Sequence, residues 1–161
     1  KLLLNLPPIK GRDIMKKGLI IFLLCLVSLM GFAQSYEKYN NFLGRNEYFD
    51  SHGVMTGYAK YNSFLNRMEY YDSKGKLLSY KKNNDFLNRE ETFDSKGKCQ
   101  GYEKDNNFLK QREGFDEHGK RVYVKKWNNF MKRYEVFDNS GKLMGYYKYN
   151  SFLKRWEYHN Q

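Results

Sequence analysis

The sequence has little cysteine and little histidine, with two and three residues among 161. Cys25 lies in an apolar run near the N-terminus, so beyond that run Cys99 stands alone and no internal disulfide is possible. The histidines are His52, His118 and His159; His52 and His118 lie three repeat units apart and cannot share a metal, and no cluster of Cys and His occurs. The glycines are spaced for turns and not gathered into a phosphate-binding loop. We therefore expect no metal and no cofactor.

Long hydrophobic runs are also missing, apart from one near the N-terminus. Met15 is followed by two lysines, an apolar run over 18–30 and small residues up to Ala33, which is the pattern of a secretory signal peptide. We expect residues 1–14 to be upstream sequence translated in error and residues 15–33 to be the signal peptide. An uncleaved membrane anchor is the alternative, but the run is shorter than the roughly 20 residues that a span needs. The prediction is an exported protein, periplasmic, at the cell surface or secreted, with no stable membrane span after cleavage.

The expected mature chain is basic. Removing residues 1–33 takes away five basic side chains and one acidic side chain, so the totals of 29 and 18 become 24 and 17, a net charge of +7. Such a charge favours anionic partners. Export argues against nucleic acid and in favour of acidic envelope polymers or lipid headgroups, although an evenly charged soluble surface is the simpler explanation.

A repeat of 22 residues covers the rest of the chain and predicts a single repeat domain over 34–161. Its six units are 35–56, 57–78, 79–100, 101–122, 123–144 and 145–161, the last one shortened. Lys at unit position 4, Asn at 6, Phe at 8 and Glu at 13 occur in all six units, and position 19 is Gly in every unit that reaches it. These columns show which residues the fold requires in every unit.

Turn residues favour strands over helices. Asp72 and Gly75 bound a turn that recurs in each unit, with Asp bonding back to the backbone and Gly supplying a positive φ. A second break falls near Phe64 and Leu65, which we expect to fold over one edge of the sheet as a local plug. Each unit is then two strands joined by a four-residue loop. The predicted fold class is all-β: hairpin repeats forming an extended, twisted or curled antiparallel meander, some 55 Å wide if it stays open.

The strand register can be read from residues that change together. If unit positions 6 and 11 flank the loop, Lys60 faces Glu69 as an ion pair and Tyr58 faces Tyr71 as an aromatic pair. Position 5 then faces position 12, which sets Asp105 opposite Arg112 in one unit and Trp127 opposite Tyr134 in the next; Tyr149 and Trp156 follow. The link between units needs either a four-residue connection or a bulge at unit position 1, and the sequence leaves both open.

The stretch Tyr71 to Leu77 and its equivalent Phe93 to Lys98 resemble the core of YD (Rhs-type) repeats, which carry an aromatic-Asp-x-x-Gly-basic signature. The hairpin period is similar to that of MORN and MORN-like antitoxin repeats, although the Gly-rich MORN pattern is absent. The resemblance covers about seven residues of each unit. It implies a sheet of β-hairpin repeats and, by analogy, binding or cell-surface work, with no catalytic residue.

The candidate binding residues lie where the units differ. They form an aromatic group in the last two units: Trp127, Tyr134, Tyr147, Tyr149, Trp156 and Tyr158. A weaker group lies at the other end of the chain, and the middle units carry charges on the same face. Exposed aromatic rows stack on sugar rings or take a partner surface. The alternative is that these side chains pack against the curled sheet or against a second copy of the chain.

The functional prediction is an exported non-enzymatic repeat protein for binding or surface structure, with envelope polysaccharide or a protein as partner and self-association possible. We expect no catalytic residue, because Lys60, Glu69, Asp72 and Gly75 and their equivalents recur as ladders and are explained by sheet and turn. The alternatives are an antitoxin-like or immunity-like binding module and, from another class, a polysaccharide hydrolase that uses the repeated Glu and Asp.

Overall fold

The computed structural model describes residues 35–161, so the predicted signal peptide and the cleavage after Ala33 lie outside the described range. Twelve strands fill this range: β1 Ser35–Asn40, β2 Arg45–Phe49, β3 Met55–Asn62, β4 Arg67–Asp72, β5 Leu77–Asn84, β6 Arg89–Asp94, β7 Cys99–Asn106, β8 Gln111–Asp116, β9 Arg121–Asn128, β10 Arg133–Asp138, β11 Leu143–Asn150 and β12 Arg155–Asn160. No helix within 35–161 is long and apolar enough to cross a membrane. The all-β prediction and the two strands in each repeat are confirmed.

The sheet closes into a barrel, which corrects the prediction of an extended meander. Each strand pairs antiparallel with its neighbour in sequence, and β1 pairs with β12. Accumulated right-handed twist brings the two ends of a wide sheet together, and closure removes the unpaired backbone groups that open edges would expose. From strand spacing and a usual tilt, twelve strands give a barrel about 24 Å across.

The seam between β12 and β1 repeats the register of the joints between consecutive units. Glu157 faces Tyr36 and Tyr158 faces Ser35 at the seam. In the same way Glu47 faces Tyr58 across β2 and β3. The sixth unit therefore meets the first as any unit meets the next, and closure needs no special element.

The Gly turns join consecutive units at one end of the barrel, the turn rim. The Asp72 carboxylate accepts hydrogen bonds from the backbone N–H groups of Lys74 and Lys76, both at 2.9 Å. The Gly75 N–H donates to the Asp72 carbonyl at 3.1 Å, and Gly75 has φ +83°. The predicted roles of Asp and Gly in the turn are confirmed.

The four-residue loops lie at the opposite end, the loop rim. In each unit the Asn at position 6 accepts a hydrogen bond from the backbone N–H at position 9, as Asn62 does from Leu65 at 3.0 Å. The residue at position 10 has a positive φ, for example Asn66 at 49°. Phe64 at the loop tip is 93% exposed, so the predicted plug over the sheet edge is wrong. The side-chain cap and the left-handed residue fix the loop so that its phenylalanine points into solvent.

A β-bulge links each unit to the next and resolves the alternative left open by the sequence. Tyr70 faces Ser79 but Tyr71 faces Leu77, so Leu78 has no opposite residue. The extra residue is thus the last of the unit, immediately before the predicted position 1. The bulge keeps the alternation of side chains between the two faces of the sheet in phase from unit to unit, so position 1 of every unit points to the same face.

The variable face of the sheet lines the barrel interior and the constant face forms its outer wall. The predicted register is confirmed: Lys60 faces Glu69, Tyr58 faces Tyr71 and Asp105 faces Arg112. The predicted ion pair is not formed. Glu69 instead binds Arg67 at 2.6 Å, because the guanidinium two residues away on the same face reaches the carboxylate while Lys60 extends into solvent.

Pairs of unequal size fill the interior near the turn rim. Position 14 of each unit faces position 1 of the next, and one member of each pair is Gly or Ser. Tyr70 faces Ser79 and Val136 faces Gly145, whereas in one pair the order is reversed and Gly114 faces Tyr123. In each pair the small residue leaves room for the larger side chain that faces it across the two strands.

Candidate functional site

The candidate aromatic residues come together on the interior face of β9 to β12. The Trp127 and Tyr134 rings meet edge to face with centroids 4.8 Å apart, and Tyr134 lies 5.9 Å from Trp156. Tyr149 lies 5.4 Å from the same tryptophan. Trp127 and Tyr149 stay 40% and 47% exposed, because they stand near the loop rim at the mouth of the barrel. Tyr147 and Tyr158 pair at 4.6 Å deeper inside.

Closure joins this group to the weaker aromatic group of the first two units. Trp156 lies opposite Glu37 across the seam, and Tyr39 is the interior residue two positions further along β1. Tyr61 and Met68 follow on β3 and β4, where they face each other. The sequence places these groups at opposite ends of the chain, but the barrel makes them one arc. We call the interior face of units 5, 6, 1 and 2 the aromatic arc.

A cavity of about 340 Å³ lies beside the aromatic arc. Tyrosines dominate its wall, with Trp156 toward the loop rim and Thr56 and Leu78 toward the turn rim. Burial raises the pKa values of Tyr48 and Tyr147, so these phenols stay protonated and can donate hydrogen bonds. The volume lies in the range of small-molecule sites.

Two opposite charges face the cavity, Glu37 from β1 and Lys125 from β9. Burial raises the pKa of the Glu37 carboxyl, and the Lys125 ammonium offsets part of that rise. Burial lowers the pKa of Lys125. Within residues 35–161 neither group has a hydrogen bond or an ion pair at 4.0 Å or less. The cavity therefore offers one acceptor and one donor that the surrounding side chains leave available. Neither residue is among the candidates predicted from the sequence, which are aromatic.

The charged residues of the middle units form a network on the opposite interior wall. Lys81 lies 3.2 Å from both Glu90 and Glu103, and Arg112 binds the same two carboxylates at 2.7 and 2.6 Å. Tyr123 donates a hydrogen bond to Glu103. Burial alone would raise the pKa of Glu103, but Lys81, Tyr123 and Arg112 outweigh it and lower the pKa to about 2. The network is closed on itself, which is typical of a structural cluster.

The repeated glutamates lie on the outer wall, where each is held by neighbours. Arg67 donates from Nε to Glu69 at 2.8 Å, and Asn62 donates to the same carboxylate at 3.2 Å. Burial alone would raise the pKa of Glu69, but hydrogen bonds from Tyr71, Arg67 and Asn62 lower it. The equivalent glutamates accept hydrogen bonds from the residues at the same positions, with Gln111 in place of the arginine at Glu113. No group of three or more His, Cys, Asp or Glu placed to hold a metal occurs in 35–161.

Six phenylalanines at the loop rim form the second candidate site. They are 90 to 95% exposed: Phe42, Phe64, Phe86, Phe108, Phe130 and Phe152. Five leucines and Met131, each following a phenylalanine, are 41 to 53% exposed. We call these twelve residues the Phe crown. Its exposure was not predicted from the sequence, since an invariant phenylalanine is typical of a buried position.

Comparison with known proteins gives a fold but no family. No protein-family model matches the chain, and no curated protein matches it. The X-ray structure of a protein from Arabidopsis thaliana is similar, with a TM-score of 0.60 and 11% identity over 80% of each chain. That likeness shows the overall fold alone. Membership of the YD or MORN-like repeats stays a prediction, while the architecture of repeated antiparallel β-hairpins is shown.

Proposed function

We propose that this protein is an exported, non-enzymatic binding protein that takes a short segment of an envelope glycan into its barrel. The observation that carries the proposal is the aromatic arc beside a cavity that holds Glu37 and Lys125. A sugar ring has an apolar face that stacks on aromatic rings and hydroxyl groups that need donors and acceptors. The tyrosines and tryptophans supply the first, and the carboxylate, the ammonium and the phenols supply the second.

Two observations support binding without catalysis. The outer glutamates are bonded to Arg and Asn, and Glu103 inside the barrel is bonded to Lys81 and Arg112. The pKa values of Glu69 and Glu103 are lowered by these partners, and a carboxyl with a lowered pKa is a poor general acid near neutral pH. The resemblance to YD and MORN-like repeats points in the same direction by analogy. The alternative is that the protein binds another protein, as an immunity-like or antitoxin-like module does, and the experiment must distinguish this from glycan binding.

The chain contains its own reporter for this site. Its two tryptophans, Trp127 and Trp156, both belong to the aromatic arc. Titration of oligosaccharides released from purified cell-wall glycan is expected to change the tryptophan fluorescence and to release or absorb heat in calorimetry. Glu37→Gln and Lys125→Gln are expected to weaken binding at least about tenfold each, since a hydrogen bond to a charged group contributes about 1.5–3 kcal/mol.

The matched control is Tyr80→Leu on the outer wall, where Tyr80 stacks on Phe93. It removes one aromatic ring from the barrel without touching the cavity, and affinity is expected to stay unchanged. Equal affinity in wild type and Glu37→Gln, with both folded by circular dichroism, would rule out the cavity as the glycan site. Release of reducing ends by wild type but not by Glu113→Gln would overturn the non-enzymatic function.

A further inference from the structure

The Phe crown is an apolar surface that the barrel does not need for its own packing. Each phenylalanine is at least 90% exposed, and each stands at the tip of a loop fixed by an Asn cap. Fully exposed large apolar side chains in identical positions of all six units form a patch that marks an interaction site. Because the units close into a ring, the six tips lie around a single end of the molecule.

We propose that the protein attaches to the surface of an anionic lipid bilayer through the Phe crown. This inference is independent of the glycan site, since it rests on the loop tips and not on the cavity. On a barrel about 24 Å across, neighbouring tips are about 12 Å apart around the rim. Such a spread of separate apolar tips suits a soft, laterally uniform layer, whereas a protein partner would have to offer six matched pockets.

Charge complementarity favours an anionic surface. Lys110, Lys132 and Lys154 follow the apolar pair within the loops of the last three units. A further ring of exposed lysines stands three residues before each loop on the outer wall: Lys38, Lys60, Lys82, Lys104, Lys126 and Lys148. Phenylalanine and leucine tips next to lysines are the combination that binds at the boundary between headgroups and acyl chains. Asp85 alone carries a negative charge in these loops.

The same charges argue against a second copy of the chain as the occupant. Two crowns brought face to face would set Lys110, Lys132 and Lys154 of one barrel against the lysines of the other. Like charges that face each other across an interface oppose association, and an anionic lipid layer avoids this repulsion. The mouth of the barrel, with Trp127 and Tyr149, then faces the headgroup layer.

The first test is sedimentation with vesicles of phosphatidylcholine mixed with phosphatidylglycerol, compared with vesicles of phosphatidylcholine alone. The triple variant Phe64→Ser, Phe108→Ser, Phe152→Ser is expected to lose binding at least about tenfold, because burying apolar area supplies the attachment. Lys110→Gln, Lys132→Gln and Lys154→Gln together are expected to weaken binding to the mixed vesicles, by about fivefold per lysine at low salt. The control is Val54→Ser at the turn rim, where Val54 is 61% exposed, and binding should not change.

A second measurement reports depth and does not depend on how well the triple variant folds. Phe64→Trp at the loop rim and Val54→Trp at the turn rim are compared on vesicles containing brominated phospholipid. Quenching of the added fluorescence is expected for Phe64→Trp and not for Val54→Trp. Equal quenching of both, or no vesicle binding by the wild type, would overturn the proposal. So would sedimentation of the lipid-free protein as an oligomer that the triple Phe variant dissociates, which would assign the crown to self-association.

Discussion

The guanidinium of Arg155 lies 3.7 Å from the centroid of the Tyr36 ring, so a cation–π contact ties the last strand of the barrel to the first. Four other joints between units have the same contact, from position 11 of one unit to position 2 of the next: Arg45 with Tyr58, Arg67 with Tyr80, Arg89 with Tyr102 and Arg133 with Tyr146. The remaining joint lacks both partners, with Gln111 and Val124 in their places. The arginine and the tyrosine are therefore present or absent together.

Arg155→Gln is expected to loosen the seam more than Arg67→Gln loosens an internal joint. Each variant loses a cation–π contact and an ion pair, Arg155 with Glu157 and Arg67 with Glu69, and each should lower the free energy of unfolding by about 1 kcal/mol. The seam, however, has no covalent turn to hold its strands together. Hydrogen exchange should therefore accelerate at β1 and β12 in the first variant more than at β4 and β5 in the second. Equal protection in the two variants would contradict a weak seam.

Installing the missing contact should stabilise the barrel. Gln111→Arg with Val124→Tyr would place a guanidinium and a ring at the one joint where they are absent. The introduced guanidinium can also keep the hydrogen bond that Gln111 makes to Glu113 at 2.6 Å. We expect the double variant to gain about 0.5–1 kcal/mol over the sum of the two single variants. Urea unfolding of all four proteins measures this coupling, and additive single effects would show that the contact contributes nothing.

The hairpins could be predicted from the sequence because both partners of each pair lie within one unit. Asp105 with Arg112 and Trp127 with Tyr134 change together, and that determined the register. Closure joins residues at opposite ends of the chain, so no local pattern shows it. Position 11 and position 2 of the next unit do vary together in the sequence, which indicates the arginine–tyrosine contact between units. Arg155 has no following unit, so its partner ring has to come from the first unit if the sheet closes.

The sites were less predictable than the fold. The aromatic residues of the last two units could be identified because they depart from the repeat, but their position inside the barrel depends on closure. Glu37 and Lys125 stand in different units, and only the three-dimensional structure brings them to one cavity. The invariant phenylalanines mislead because large apolar residues are most often buried. Their exposure follows from the left-handed residue and the Asn cap, which together fix the loop conformation. The sequence does not show that this conformation points the phenylalanine side chain into solvent.

Stability should fall in acid through Glu103. Burial alone would raise its pKa, but Lys81, Tyr123 and Arg112 bring it to about 2 from an ordinary value of 4.5. Because the folded pKa is the lower one, the ionised carboxylate contributes stability above about pH 5, and this contribution is lost as the pH falls toward 2. The loss is on the order of 3 kcal/mol, measured as the decline in the free energy of unfolding by urea.

Glu103→Gln separates this carboxylate from the other acidic groups. The variant should be about 3–5 kcal/mol less stable at neutral pH, because Lys81 and Arg112 lose a shared partner inside the barrel. Its stability should also decline less steeply between pH 5 and about pH 3 than that of the wild type. Tyr123→Phe, which keeps both ion pairs, serves as the control and should retain most of the decline. Parallel pH profiles for wild type and Glu103→Gln would show that Glu103 is not the titrating group.

Gly114 is required because the Tyr123 ring crosses it on the way to Glu103. A Cβ at Gly114 would lie 2.2 Å from Cε1 of Tyr123, closer than atoms can approach. Gly114→Val should therefore destabilise the barrel by about 1–3 kcal/mol, as overpacking of a filled interior does. The equivalent pair Val136 and Gly145 shows that the same layer accepts the valine when its partner is glycine. In a Tyr123→Gly background, Gly114→Val should lower the free energy of unfolding by about 1 kcal/mol less than it does in the wild type. Thermal or urea unfolding of the four proteins tests this, and an equal cost in both backgrounds would show that the clash is relieved elsewhere.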